Sequence, residues 1–326
     1  MQPSVENTVS RLASVATCGL ALTAVVVAAP TPVAAATPSQ PTSVRARVSD
    51  PEAAFARMLA ARDDAQRWAR AEAFLRDHGD DAPVTWQATA HALLGAALWR
   101  ASCPGAADGL CVEVVTAAPD AGTCVPALRE RLVPRARNAR LAQEAHDHLE
   151  QASWLADVPP PADPDEANAF RDAIAESLVL LADHDLEELL GLTPPAGPYT
   201  LTPDSSAQPA LQGYLMQLMT QTGAIIAAYA DVKATGSSHW VLVAAARTGF
   251  AMETPAEALG TFPLPTGMSD DTETQYCEEL AANLDMMRSR AQEVYEWCID
   301  RADTYDLDGF AVQTCRERLD VLEAAQ

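Results

Sequence analysis

Cysteine offers the most distinctive chemistry in this sequence, since seven cysteines occur among its 326 residues. One of them, Cys18, lies in an apolar N-terminal segment, and the remaining six are Cys103, Cys111, Cys124, Cys277, Cys298 and Cys315. None of the six belongs to a CxxC pair, and none has a histidine close to it in the sequence, so their spacing does not favour a metal site. An even number of cysteines in an exported chain is typical of disulfide bonds, and these six are therefore the disulfide candidates.

Cys298 and Cys315 are predicted to form one of these disulfides. Both lie on the apolar stripes of consecutive predicted helices, and the turn between the helices, residues 303–308, is centred close to the midpoint of the two positions. In an antiparallel helix hairpin, this spacing places the two side chains opposite each other. A second bridge is expected within the loop from Cys103 to Cys124, although the sequence leaves its partners open.

The main basic cluster consists of five arginines that follow this loop: Arg129, Arg131, Arg135, Arg137 and Arg140. The chain carries 45 acidic against 22 basic residues, for a net charge of -23. Pairing of these arginines with the protein's own carboxylates is therefore the simpler interpretation, and a docking patch is the alternative. The acidic balance excludes nonspecific nucleic-acid binding, because the phosphate backbone would be repelled.

Histidine side chains can serve as metal ligands or as catalytic bases. His146 and His148 are two residues apart, so on a helix they point to different faces and cannot chelate one metal together, whereas His146 and Glu150 share a face. The run around His184, with an aspartate on either side, has no nucleophile nearby and is interpreted as a polar turn at a helix end. The sequence contains no GxSxG, phosphate-loop or dinucleotide motif. We therefore expect no catalytic residues, no metal and no cofactor.

The N-terminus has the pattern of an exported protein. Residues 1–36 read as a signal peptide, because Arg11 precedes an apolar run that ends in an A-x-A type cleavage site at Ala34-Ala35-Ala36. Cys18 precedes most of the apolar run, so a lipid anchor is the minor alternative. Residues 37–49 are rich in Pro, Ser and Thr and are predicted to be a flexible linker. No later segment has the length and apolarity of a membrane span, so we expect a periplasmic or envelope location.

The rest of the chain shows the apolar period of α-helices and predicts an all-α fold of stacked antiparallel helix pairs. An N-terminal helical region covers residues 50–192 and contains a cysteine-bearing loop at 103–126. A proline-rich connection at 193–209 leads to a C-terminal helical region at 210–326. Its central helix is expected from Ser237 to Ala258, capped by Ser237 or Ser238 after Gly236 and stopped or kinked near Thr254 by Pro255.

Two sets of motifs resemble a known family. The segment FLRDHGDDAPVTWQATAHALLGAALW, residues 74–99, is similar to a degenerate tetratricopeptide-type helix pair. The segments SSHWVLVAAARTGFA, TQYCEEL, YEWCIDRA and TCRERLDVL resemble exported tetratricopeptide-like proteins of myxobacterial-type bacteria. The resemblance implies a helical-repeat envelope protein built as an α-solenoid, and it carries over no catalytic residue.

Three functions are compatible with the sequence. The first is a noncatalytic scaffold that presents a groove to an envelope protein or an extended peptide. The second is an envelope enzyme that uses a nonstandard pair of carboxylates as general acid and base. The third is a protein that binds a small apolar ligand between helices. A deep pocket with convergent polar groups favours the second or third function, and an open groove favours the first.

Overall fold

The computed structural model describes residues 50–106, 109–116, 124, 130–195, 207–262 and 264–324. The predicted signal peptide and linker lie outside this part of the chain, as does Arg129. The described residues form one compact unit that begins after Val48. Its elements are α1 (Pro51–Leu59), α2 (Asp64–His78), α3 (Val84–Ser102), β1 (Val112–Thr116), β2 (Glu130–Pro134), α4 (Ala139–Leu155), α5 (Pro164–Leu190), α6 (Ala207–Asp231), a 3-10 turn (Val232–Thr235), α7 (Ser238–Gly260), α8 (Asp270–Tyr305) and α9 (Phe310–Glu323).

Several helices begin at the residues that the sequence indicates. The Asp50 side chain accepts a hydrogen bond from the first turn of α1, and Asp163 accepts two from the first turn of α5. Ser237 caps α7 by accepting from the Trp240 amide, and Gly236 before it has a positive φ of 79°. Of the two predicted effects of Pro255, a stop and a kink, the stop is wrong, because α7 continues to Gly260. Pro255 lies inside the helix and is buried, so packing outweighs the one backbone hydrogen bond that proline removes.

The fold is predominantly helical but not purely so. Strands β1 and β2 pair antiparallel, with Val114 opposite Leu132. Strand β1 lies in the predicted loop region, and β2 follows that region in the chain. The β1 sequence VEVVT is rich in β-branched residues, which favour a strand over a helix. The hairpin was not predicted from the sequence, because the cysteines, glycines and prolines around β1 indicate a loop.

Each helix packs on the next one along the chain, and α3, α5, α7 and α9 also pack on one another in that order. These four helices form a central row, which we call the spine. Within the described residues, the flanking helices α4, α6 and α8 make far less contact with one another. The main hydrophobic core lies along the spine and includes Val179, Phe250 and Cys315. This layering leaves spaces between successive flanking helices above the spine.

A buried acid, tyrosine and arginine join three consecutive helices. Asp183 of α5 accepts a hydrogen bond of 2.7 Å from the Tyr229 hydroxyl of α6, and Arg247 of α7 lies 3.2 Å from the same carboxylate oxygen. All three side chains are almost fully buried. Burial, followed by the neighbouring carboxylate, raises the pKa of Tyr229 well above its usual value. The tyrosine therefore remains a neutral donor to Asp183.

The same combination recurs one helix pair further along the chain. Glu253 of α7 accepts hydrogen bonds from the Tyr295 hydroxyl of α8 and from the Arg318 guanidinium of α9. Burial, followed by Glu253, likewise raises the pKa of Tyr295 well above its usual value. In both triads the acid lies on one spine helix, the tyrosine on the flanking helix, and the arginine on the next spine helix. The two helix pairs α5–α6 and α7–α8 are thus used in equivalent ways.

Candidate functional site

The six cysteines outside the N-terminal segment form three disulfides. Cys298 and Cys315 join α8 to α9, with their Cα atoms 6.5 Å apart, which is the pair that the hairpin geometry predicts. A second bridge joins Cys103 to Cys111, and lies inside the loop where one bridge is expected. The third joins Cys124 to Cys277 across 153 residues of sequence, a pairing that the sequence left open.

The four arginines of the basic cluster that the structure describes differ in exposure. Arg137 is buried beneath the α3–α5 packing, where it lies 2.5 Å from Glu187 and 3.7 Å above the ring of Trp99. Arg135 is half-buried and donates to the Pro104 carbonyl. Arg131 and Arg140 are exposed, and Arg129 lies outside the described residues. Internal pairing thus occupies Arg137, whereas a docking role of the exposed arginines stays a prediction.

Helix α4 directs its two histidines to different neighbours. His148 faces α3, where its Nδ1 atom lies 2.8 Å from Nδ1 of His91. Burial, and then the neighbouring His148, lowers the pKa of His91 to about 4, and burial lowers the pKa of His148 as well. This pair is therefore neutral at pH 7 and shares one N–H···N hydrogen bond.

His146 faces α5, where its ring lies 5.4 Å from that of His184. The run around His184 is not a turn at a helix end, because α5 continues to Leu190 and Asp183 is fully buried. A hydrogen bond with Asp185 is the main cause that raises the pKa of His184. Neither His91–His148 nor His146–His184 could be predicted from the sequence, because each pair joins residues that are far apart in the chain.

A cavity with a volume of about 600 Å³ lies between α1–α3 and the spine helices α5, α7 and α9. One ion pair lies in its lining, where Arg100 pairs with Glu176 and also lies 3.1 Å from Asp64. The apolar part of the lining includes Leu93 and Trp240, and Phe310, which is 56% exposed, stands on its edge. This cavity combines apolar walls with a buried ion pair.

A groove with a volume of about 420 Å³ lies between the flanking helices α6 and α8, with α7 as its floor. The floor residues follow helical spacing on one face of α7. The lining is almost wholly apolar and consists of Ile226, Tyr229, Ala230, Lys233, Val241, Ala244, Ala245, Thr248, Glu293, Val294 and Trp297. On this face of α7, Val241 and Thr248 are half-buried, and Ala244 and Ala245 are only 4% and 7% exposed.

One end of the groove is positively charged. A smaller cavity of about 200 Å³ continues from it and shares Lys233, Val241 and Trp297 with it. The Arg301 guanidinium lies 5.5 Å from the Trp297 ring at this end, and the first turn of α7, which begins at Ser238, also lines it. The N-terminus of a helix carries a partial positive charge. A chain of strongly negative net charge thus has a local site suited to an anion beside an apolar groove.

Comparison with protein-family models, curated proteins and solved structures finds no match to this chain. Among the helices that the structure describes, none combines the length and the apolarity needed to cross a membrane. The groove, the cavity and the side-chain clusters described above are therefore the features that indicate a function.

Proposed function

We propose that this chain is a noncatalytic, exported helical-repeat protein that binds an apolar segment of a partner protein in the groove between α6 and α8. The observation that carries this proposal is the apolar groove between α6 and α8, whose floor is α7. An exposed apolar groove of helical width is the geometry by which amphipathic helices and extended peptides are bound. Trp297, which is 37% exposed in the wall of the groove, is the type of residue that anchors such interfaces.

The packing of the helices supports a tetratricopeptide-like repeat as the scaffold of this groove. In such repeats each helix pair stacks on the next, so that one layer of helices becomes continuous. The spine of α3, α5, α7 and α9 follows this pattern. The recurrence of the acid, tyrosine and arginine triad in α5–α7 and α7–α9 supports two equivalent units. The three disulfides support export, since disulfides persist in oxidising compartments.

The charges of the groove indicate the chemistry of its partner. Apolar side chains would fill the groove above Ala244 and Ala245. A side-chain or terminal carboxylate would lie at the end formed by Lys233 and Arg301, where it would meet two cations and the start of α7. We therefore propose a partner segment that is apolar over two or three turns and ends in a carboxylate.

The test is photo-crosslinking in the native envelope, followed by measurement of affinity. A crosslinking residue at position 297 should capture a partner, whereas one at Trp154, an exposed tryptophan on α4 away from the groove, should not capture the same protein. A synthetic peptide from the captured region should then bind the purified chain. Trp297→Ser should weaken this binding at least about tenfold, whereas Trp154→Ser should leave it unchanged.

Charge reversal provides the second half of this test. Lys233→Glu/Arg301→Glu should weaken binding, and Arg316→Glu, at an exposed position on α9, should not. The proposal is wrong if the peptide binds equally well to the Trp297→Ser and the charge-reversed variants.

A second function is favoured by the cavity that α1–α3 form with α5, α7 and α9. Its volume of about 600 Å³ lies within the range of small-molecule sites, and its apolar walls and ion pair suit an amphiphilic ligand. Val243 lines this cavity, whereas Val241, two residues earlier on α7, lines the groove. Val243→Phe should abolish retention of a small molecule in native mass spectra, and Val241→Phe should abolish only peptide binding. Absence of any retained small molecule from envelope-purified protein would exclude this second function.

A further inference from the structure

The facing histidines of α4 and α5 lie within a cluster of carboxylates. His146 and Glu150 are one turn apart on α4, with Nδ1 and Oε2 3.8 Å from each other. His184 and Glu188 are one turn apart on α5, with Nε2 and Oε1 4.0 Å from each other. Each helix thus presents a histidine followed four residues later by a glutamate, and the two imidazole rings meet at 5.4 Å.

The α5 part of the cluster already has the spacing of metal ligands. Donor atoms of His184, Asp185 and Glu188 all lie within 4.8 Å of one another. Bonds of about 2.0–2.2 Å to a tetrahedral zinc ion place its donor atoms about 3.4 Å apart. Closing the cluster around one ion therefore requires rotation of the histidine and glutamate side chains, which are partly exposed.

The ring of His184 is held in the orientation that a metal site requires. Asp185 lies 3.5 Å from its Nδ1 atom, so Nε2 is directed toward Glu188. A carboxylate on one ring nitrogen and a metal on the other is the usual arrangement around zinc-binding histidines. The buried ring of Trp99 lies 6.0 Å from His184 on another side and restricts its movement.

We propose that His146, His184 and Glu188, with Glu150 as a fourth donor, bind a zinc ion between α4 and α5. Two imidazoles with carboxylates suit zinc, whereas calcium and magnesium prefer sites made of oxygen atoms alone. This proposal replaces the expectation of no metal, which was based on His146 and His148 pointing apart and did not place His184 beside His146. It is independent of the groove, because the groove lies on α6, α7 and α8.

The experiment uses the untagged, disulfide-bonded chain, stripped of metal with a chelator and then titrated with zinc chloride against a chromophoric zinc indicator. We expect one zinc ion per chain in the micromolar range or tighter. His146→Asn and His184→Asn should each weaken zinc binding at least about tenfold, and Glu150→Gln and Glu188→Gln should each weaken it by a smaller factor. Calcium at the same concentration should not displace zinc. X-ray absorption at the zinc edge should show nitrogen and oxygen donors and no sulfur.

The matched control is the other histidine pair on the same helix. His91→Asn/His148→Asn should leave zinc affinity unchanged, because His148 faces α3 rather than α5. Far-ultraviolet circular dichroism should show that every variant is folded. The proposal is overturned if the chain binds no zinc below about millimolar concentration, or if binding survives His146→Asn/His184→Asn and is lost in the control.

Discussion

Arg318 offers a direct test of whether the buried triads stabilise the fold. Its guanidinium binds both oxygens of Glu253, and both side chains are at least 89% buried, as their exposures of 11% and 5% indicate. Arg318→Met removes the cation and leaves the Glu253 carboxylate buried, with the Tyr295 hydroxyl still donating to it. Loss of one partner of a buried ion pair costs about 3–5 kcal/mol, since an uncompensated charge stays in the interior.

This cost is a large fraction of the stability of a protein of this size, which is about 5–15 kcal/mol. The midpoint of thermal unfolding should fall by roughly 10 °C. Removing the whole triad with Glu253→Met, Tyr295→Phe and Arg318→Met leaves no charge or hydroxyl to satisfy. The triple variant should therefore be more stable than Arg318→Met alone by at least about 2 kcal/mol.

The assay is unfolding in guanidinium chloride at pH 7 with the disulfides intact, followed by circular dichroism. Arg316→Met is the matched control, because Arg316 lies on the same helix and pairs with Asp303 of α8 at 3.5 Å, with the two side chains 51% and 67% exposed. It should lose less than about 0.5 kcal/mol. The reasoning fails if Arg318→Met costs no more than Arg316→Met, or if the triple variant is no more stable than Arg318→Met.

Three further predictions use the same unfolding measurement. Cys298→Ala/Cys315→Ala should lower the free energy of unfolding by about 3 kcal/mol, because the unfolded chain regains the entropy of a 17-residue loop; an unchanged value would show that the bridge contributes nothing. Gly249→Ala should destabilise by about 1–3 kcal/mol because its new methyl group overlaps the Tyr295 ring, whereas Gly223→Ala in α6, where no described atom lies within 4 Å, should stabilise by about 0.5–1 kcal/mol; equal effects would contradict the packing of Tyr295. The folded chain keeps His91 neutral down to about pH 4 while the unfolded chain binds a proton near pH 6.5, so stability should fall between these values as the pH is lowered, and His91→Asn should make this slope shallower; an identical slope would place the pair elsewhere.

Local patterns in the sequence were sufficient for the helices and several of their ends. Caps such as Asp50 and Asp163 act within one turn, so residues next to each other in the chain determine them. The Cys298–Cys315 pairing could also be predicted from local sequence, because residues at equal distances from the turn of an antiparallel helix hairpin lie opposite each other. The continuation of α7 past Pro255 could not be predicted in this way, since the packing that keeps Pro255 inside the helix comes from elements distant in the sequence.

The candidate sites could not be read in this way, because each joins residues that are far apart in sequence. His146 and His184 lie on different helices, and their meeting depends on how α4 crosses α5. The groove above α7 depends on the distance between α6 and α8. The spacing of apolar residues within each helix does not determine that distance. One signal was available: α6 has a single charged residue, Asp231, in 25 positions, which is unusual for a helix with a long exposed side.

The disulfide between Cys124 and Cys277 has a mechanical consequence. A stack of helix pairs pulled by its two ends would normally unravel from either end, one helix after another. Here the chain between the two cysteines is closed into a covalent ring that contains β2 and α4–α7, so a pulling force passes through the sulfur atoms and bypasses those elements. Only the chain outside the ring can extend. Reduction of this one bond would release the 153-residue segment, or about 500 Å of additional length. The length to which the chain extends under force therefore depends on the redox state of this bond.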